Sequence, residues 1–162
     1  MQTRRATAED ADVFVAVLAE VAAENRWIGT EPGFDVDERI ARVRRSMDEG
    51  ETFWLLEDDD GAAIGTLGLH LTHARGVVSL GMCIIESARG RGGGRVMMDT
   101  ALLHLATTDA HKVELEVWPD NGRAISLYAS YGFEVEGLRR SHYRRRDGSL
   151  RSSLIMARLL RA

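Results

Sequence analysis

Apolar residues recur along the chain with two different periods, one typical of helices and the other of strands. In residues 8–24 and 35–50 they return every three or four positions, which predicts two amphipathic helices after a short strand near residues 3–6. Residues 52–72 contain two strand-like segments joined by an acidic turn. Residues 77–85 are almost continuously apolar, which predicts a strand in the centre of a sheet, buried on both faces.

The second half of the chain continues these patterns. From Met97 to Leu105 apolar residues recur at intervals of four, as on the buried side of a helix. In residues 112–117 apolar and polar positions alternate, which predicts a strand with Glu114 and Glu116 together on its polar face.

The end of the chain completes the predicted order of elements. A short helix ends at Gly132, and strands follow near residues 134–139 and 150–159. The whole order is β-α-α-β-β-β-α-β-α-β-β. It predicts an α/β (α+β) fold with a mixed sheet flanked by helices, and residues 1–162 are predicted to form one domain.

Composition and charge exclude several classes of function. The chain has 44% apolar residues, enough for a substantial core, and a net charge of −4, which argues against binding to nucleic acid. One cysteine, Cys83, cannot form an internal disulfide, and the first residues lack the pattern of a secretory signal, so we expect a cytoplasmic protein. The longest early apolar tract, 13–23, is too short to cross a membrane.

A dense glycine and arginine segment follows the predicted central strand. Residues 89–95 consist entirely of four glycines and three arginines, and a helix comes next. Because the first amides of a helix are unpaired and its dipole is positive there, this arrangement favours an anion site. Glycine lets an anion approach the backbone, and Arg89, Arg91 and Arg95 offer charged donors. The alternative is a flexible surface connection.

Two nucleotide-binding patterns do not fit this segment. No lysine followed by Ser or Thr comes after the glycines, which excludes a P-loop. Arg95 stands where a dinucleotide fingerprint counted from Gly90 and Gly92 requires its third glycine.

Two motifs lie on either side of the predicted strand 112–117. The first has Arg89, Gly92 and Gly94 in the pattern Arg or Gln, two residues, Gly, one residue, Gly or Ala; in the second, Asn121 begins a helix that carries Tyr128. Both motifs, their separation and the order of elements resemble the GNAT N-acetyltransferase superfamily over nearly the whole chain. The resemblance implies a mostly antiparallel sheet that splays at the cofactor-binding strand.

The resemblance also implies how acetyl-CoA, the expected co-substrate, would bind. The backbone of the central strand would pair with the pantetheine arm beside a bulge at Gly81, and the amides of the loop would hold the pyrophosphate. The residues implied to bind the cofactor are Met82, Cys83, Ile84, Ile85, Arg89, Gly90, Arg91, Gly92, Gly93, Gly94, Arg95, Val96, Asn121 and Tyr128.

Direct acetyl transfer to a primary amine in a ternary complex needs a base for the amine and a proton for the leaving thiolate. By resemblance Tyr128 is expected to supply that proton; packing of its ring between helix and sheet is the alternative. Glu114 is the candidate base. A water-mediated route or an already neutral amine stays open, because Ser79 and Ser152 replace acidic residues that many relatives carry.

The acceptor is expected to be a small-molecule, amino-acid or peptide amine bound near the first inter-helix loop and the last strands. The candidate acceptor-side residues are Trp27, Glu31, Glu116, His142 and Tyr143.

The sequence also bears on a metal site, on the oligomeric state and on a competing function. His70 and His73 would point to opposite faces of a strand, so no metal site is expected. By resemblance a homodimer is a further expectation. The competing function is a CoA-binding sensor that kept the loop and lost the chemistry.

Overall fold

Residues 1–160 are described in the computed structural model. The helices of this region are α1 (Ala11–Ala23), α2 (Val36–Asp48), α3 (Gly93–Leu105) and α4 (Gly122–Ser130). The strands are β1 (Gln2–Arg5), β2 (Thr52–Glu57), β3 (Ala63–Leu71), β4 (Val77–Ile84), β5 (Lys112–Val117), β6 (Glu134–Arg144) and β7 (Leu150–Leu159). No helix in this part of the chain is long and apolar enough to span a membrane.

The seven strands form one sheet in the order β1-β2-β3-β4-β5-β7-β6. All neighbouring strands are antiparallel except β4 and β5, which are parallel. The predicted order of elements and the mixed, mostly antiparallel sheet flanked by helices are therefore confirmed. Strand β6 extends beyond its predicted end near residue 139, because residues 143 and 144 pair with β7 across an irregular stretch.

The sheet splays between β4 and β5. Their pairing covers only three residues of each strand, Val77–Ser79 against Lys112–Glu114. On its other side β4 pairs with β3 from residue 78 to residue 84 without a register shift, so the bulge expected at Gly81 is absent from that pairing. The two strands therefore leave a gap beside the second half of β4, on its β5 side.

Alternating side chains of the strands build two apolar layers. Leu56 and Leu115 face α3 and α4, whereas Phe53 and Leu55 face α1 and α2. Strand β4 lies in the centre of the sheet, as predicted, but only Leu80 and Cys83 among its residues are buried. The prediction of burial on both faces was wrong because one side of the strand borders the gap.

A buried arginine ties the loop between α1 and α2 to the turn between β6 and β7. The guanidinium of Arg145 donates to the carbonyl of Gly29 (2.9 Å) and to the amide oxygen of Asn25 (2.7 Å), and its Nε lies 3.6 Å from Glu31. The residue is only 6% exposed. These contacts fix the loop that closes one end of the gap.

Removing this arginine is expected to destabilise the fold. Arg145→Met should lower the free energy of unfolding by about 1–3 kcal/mol, because it removes the charged donor shared by Gly29 and Asn25 and the ion pair with Glu31. Urea denaturation measures the change. The matched control is Arg144→Met at the preceding, exposed residue, which should stay within about 0.5 kcal/mol of wild type. Equal stability of the two variants would contradict this account of the loop.

Candidate active site

A large open cleft of about 1490 Å³ follows the gap between β4 and β5. Its walls come from the second half of β4, the glycine segment, the start of α3, one side of α4, the end of β5 and the α1–α2 side of the sheet. The cleft therefore continues from the glycine loop to the loop between α1 and α2.

The glycine segment brings unpaired amides to this cleft. Gly92 precedes α3 with a φ of +92°, a conformation that residues with a Cβ rarely adopt, and no side chain caps the helix. A Cβ on Gly93 would lie 2.6 Å from Leu56, so this residue must be small for α3 to pack on the sheet. The first amides of α3 thus face the cleft without side chains in the way.

Arg89 holds the loop in place through contacts with Ile84 and Glu24. Its Nε donates to the carbonyl of Ile84 (2.8 Å), and its two terminal nitrogens donate to the carboxylate of Glu24. The side chains of Arg89 and Glu24 are only 19% and 20% exposed. Glu24 at the end of α1 thus already pairs with this guanidinium, and the role of Arg89 in binding the cofactor stays a prediction.

Helix α4 places Tyr128 beneath the gap. The side chain of Asn121 caps the helix by accepting from the amide of Ala124 (3.2 Å). Tyr128 is 7% exposed, its ring packs against Phe133 with centroids 5.9 Å apart, and its hydroxyl has no hydrogen-bond partner among residues 1–160. Burial, and to a lesser extent the neighbouring Cys83, raises the pKa of Tyr128, so the phenol remains protonated.

The end of β5 carries a carboxylate that is already engaged. Glu116 accepts from the hydroxyls of Tyr143 (2.9 Å) and Ser153 (2.7 Å) and from the guanidinium of Arg139. Burial, followed by the hydrogen bond to Glu116, raises the pKa of Tyr143 to about 12. Glu116 therefore orders this wall of the cleft.

Glu114 does not lie in the cleft. It belongs to the part of β5 that still pairs with β4, opposite Ser79. Its carboxylate lies 3.8 Å from Nζ of Lys112. The structure therefore does not bring the expected base to the gap, since the strands separate only after this residue.

Some of the other predicted site residues line the cleft, and others lie outside it. Trp27 lines the cleft beneath the guanidinium of Arg26 (4.4 Å), whereas Glu31 binds Arg145 and the amide of Arg146. His142 packs its ring against Tyr143 outside the cleft. Of the predicted cofactor residues, those that line the cleft are Met82, Cys83, Ile84, Arg89, Gly90, Gly92, Gly93, Gly94, Arg95, Asn121 and Tyr128; Ile85, Arg91 and Val96 do not.

Several cleft residues were not predicted from the sequence, among them two arginines, a glutamate and a histidine on the α1–α2 side. Arg39 and Arg42 of α2 line the α1–α2 side, and Glu51 lines it together with His70, whose Nδ1 lies 2.8 Å from the Glu51 carboxylate. The arginines stand among other charged residues of an amphipathic helix, where nothing local marks them. One signal was available for the pair of Glu51 and His70. Glu51 directly precedes β2, which pairs with the strand that carries His70.

Comparison with known proteins gives a family match and curated relatives. A model of the acetyltransferase (GNAT) family matches residues 15–133. The chain is 37% identical over 92 residues to mycothiol acetyltransferase of Beutenbergia cavernae, covering 52% of this chain and 31% of that protein. It is 29% identical over 105 residues to an L-amino acid N-acetyltransferase of Escherichia coli, covering 62% and 64%. The chain thus spans about a third of the first relative.

Solved structures share the fold. A GNAT superfamily phosphinothricin acetyltransferase from Sinorhizobium meliloti, crystallised with acetyl-CoA, superimposes with a TM-score of 0.86 at 20% identity. The match covers 99% of this chain and 88% of that one.

The contact between Arg89 and Glu24 should contribute measurably to stability. In a double-mutant cycle with Arg89→Gln and Glu24→Gln, we expect a coupling energy of about 1–3 kcal/mol, since both side chains are largely shielded from water. Urea denaturation of the four proteins measures it. Arg91→Gln, on the exposed side of the same loop, is the control and should have little effect. A coupling energy near zero would refute the role of Arg89 in fixing the loop.

Proposed function

This chain belongs to the acetyltransferase (GNAT) family, and we propose that it transfers the acetyl group of acetyl-CoA to a primary amine in a ternary complex. The observation that carries the proposal is the gap beside β4, which leads directly to the unpaired amides at the start of α3. An extended arm with amide groups fits the first feature, and a pyrophosphate fits the second.

The residues around the gap suit acetyl-CoA. Backbone groups of residues 80–83 that point towards β5 have no strand partner among the described residues. Gly92 and Gly94 line the cleft, and nothing lies within 4 Å of where a Cβ of Gly92 would be. When bound, acetyl-CoA supplies the activated acyl carbon, and this chain orients it through these backbone groups.

Tyr128 is proposed as the acid that protonates the leaving thiolate. Its hydroxyl reaches the cleft as a neutral donor without a partner among residues 1–160, as this role requires. The two glutamates of β5 are poor candidates for the opposite role, because Glu114 lies outside the cleft and Glu116 already accepts three hydrogen bonds.

The acceptor is proposed to carry an anionic group, as an amino acid does. Within residues 1–160, Arg39 and Arg42 form no ion pair, although both line the cleft. Arg39 donates to the hydroxyl of Thr30 (3.3 Å), and its guanidinium lies over the Phe34 ring (4.9 Å). Burial, and then the neighbouring charge of Arg42, lowers the pKa of Arg39. A carboxylate on the acceptor would supply the negative charge that these two guanidinium groups lack among the described residues. The name of the Escherichia coli relative, an L-amino acid N-acetyltransferase, states an acceptor of this class.

An acceptor screen tests the function. Purified protein is incubated with acetyl-CoA and L-amino acids, phosphinothricin, spermidine or a peptide with a free N-terminus, and the acetylated product is measured. We expect transfer to carboxylate-bearing amines. Binding of acetyl-CoA in calorimetry without any acetylated product would support the sensor function instead.

Replacing Tyr128 separates chemistry from binding. Tyr128→Phe should lower kcat by roughly ten- to a thousandfold, because the thiolate then leaves without its proton donor. The dissociation constant of acetyl-CoA should change little, since the ring remains. Steady-state kinetics and calorimetry measure the two effects. An unchanged kcat would remove Tyr128 from the acid role.

Replacing Arg39 tests the acceptor class. Arg39→Gln should raise KM for a carboxylate-bearing acceptor by about ten- to a hundredfold with a smaller effect on kcat, because a charged hydrogen bond is lost. The matched control is the amide of the same acceptor, whose KM should be similar in the two proteins. The same KM for the carboxylate-bearing acceptor in wild type and variant would refute the proposed subsite.

A further inference from the structure

A histidine and a glutamate form a pair on the α1–α2 side of the cleft. Nδ1 of His70, on β3, lies 2.8 Å from Oε2 of Glu51, and Oε1 of Glu51 accepts from the backbone amide of Leu71 at 3.1 Å. The Glu51 side chain is 15% exposed and that of His70 is 41% exposed. The carboxylate is thus held by two donors, and the imidazole remains accessible from the cleft.

This arrangement defines the state of the imidazole ring. A carboxylate only accepts hydrogen bonds, so Nδ1 of a neutral His70 carries the proton and donates it to Glu51. Nε2 then presents a lone pair. None of the residues 1–160 donates a hydrogen bond to this nitrogen. The ring contacts Glu51 through Nδ1 and packs edge-on against Phe53 (5.3 Å between centroids).

Nε2 lies next to the part of β4 that borders the gap. Gly68 and Gly81 are cross-strand partners, and a Cβ on them would lie 2.7 Å and 3.8 Å from Nε2 of His70. The imidazole therefore occupies the space that a side chain on Gly68 would fill, and it lies at ordinary contact distance from Gly81. Met82 follows Gly81 on β4, and both residues line the cleft.

We propose that His70, held by Glu51, is the general base that removes a proton from the acceptor amine, directly or through one water molecule. This inference rests on the proposed function. Three features support it: a free lone pair on Nε2, a carboxylate that orients the ring through Nδ1, and a place beside β4 in the same cleft as Tyr128. Neither Glu114 nor Glu116 of β5 has all three features.

The protons and bonds of the reaction balance with these two residues. The ammonium form of the acceptor gives one proton to Nε2 of His70, which later releases it to water. The neutral nitrogen forms a bond with the acyl carbon while the bond from that carbon to sulfur breaks. The nitrogen loses a second proton to water, and the Tyr128 hydroxyl gives one to the thiolate and regains it from water. One proton is released for each acetyl group transferred.

Three variants and one added base test the proposal. With an acceptor found active in the screen, His70→Gln should lower kcat about a hundredfold and leave the dissociation constant of acetyl-CoA unchanged. Glu51→Gln should cause a smaller loss, because its amide oxygen can still accept from Nδ1. In His70→Ala, added imidazole should restore formation of the acetylated product, since the site is open to solvent. The same imidazole should not restore Tyr128→Phe.

Controls separate this role from a structural one. His73→Gln changes a histidine in the turn after β3 and should behave as wild type, and all variants should keep the wild-type Tm within a few degrees. Wild-type rates in His70→Gln, or no rescue of His70→Ala by imidazole, would overturn the inference while leaving the proposed function intact. An inactive wild-type protein would refute the proposed function and this inference with it.

Discussion

The separation of β4 and β5 is the feature on which the rest of the site depends. Backbone amides and carbonyls need hydrogen-bond partners, and a central strand normally finds them on both sides. Strand β4 has a complete set on its β3 side, but β5 leaves it after Ser79. The remaining groups face a cleft, with the start of α3 at one end and Tyr128 beneath it. An extended ligand with its own amides can replace the missing strand.

The elements themselves could be predicted because their signals are local. Helix and strand periods, the glycines before α3 and the cap at Asn121 are all read within a few residues. The side-chain contacts that fix the loops around the cleft could not be predicted. Glu24 and Arg89 are 65 residues apart, and Arg145 reaches carbonyls more than 110 residues away. Their partners follow from the packing of whole layers, which no local pattern encodes.

Candidate catalytic residues show the same limit. Alternation correctly placed Glu114 and Glu116 on one face of β5, but their roles depend on where β5 leaves β4, and that point falls between them. From the sequence, His70 was considered only as a metal ligand, and no catalytic role was predicted for it. Its environment comes from Glu51, in the segment before β2, and from Gly68, which leaves room for the ring. A residue of β5 lines the cleft only if it lies beyond the point where β5 separates from β4.

A crystal structure with bound acetyl-CoA tests whether this ligand replaces the missing strand beside β4. We expect amides of the pantetheine arm to pair with the backbone of residues 82–84 and the pyrophosphate to lie on the amides of residues 90–95. We also expect the acyl carbon to lie between the Tyr128 hydroxyl and the cleft face of β4. A pyrophosphate bound away from the start of α3, with the gap beside β4 filled only by water, would contradict this expectation.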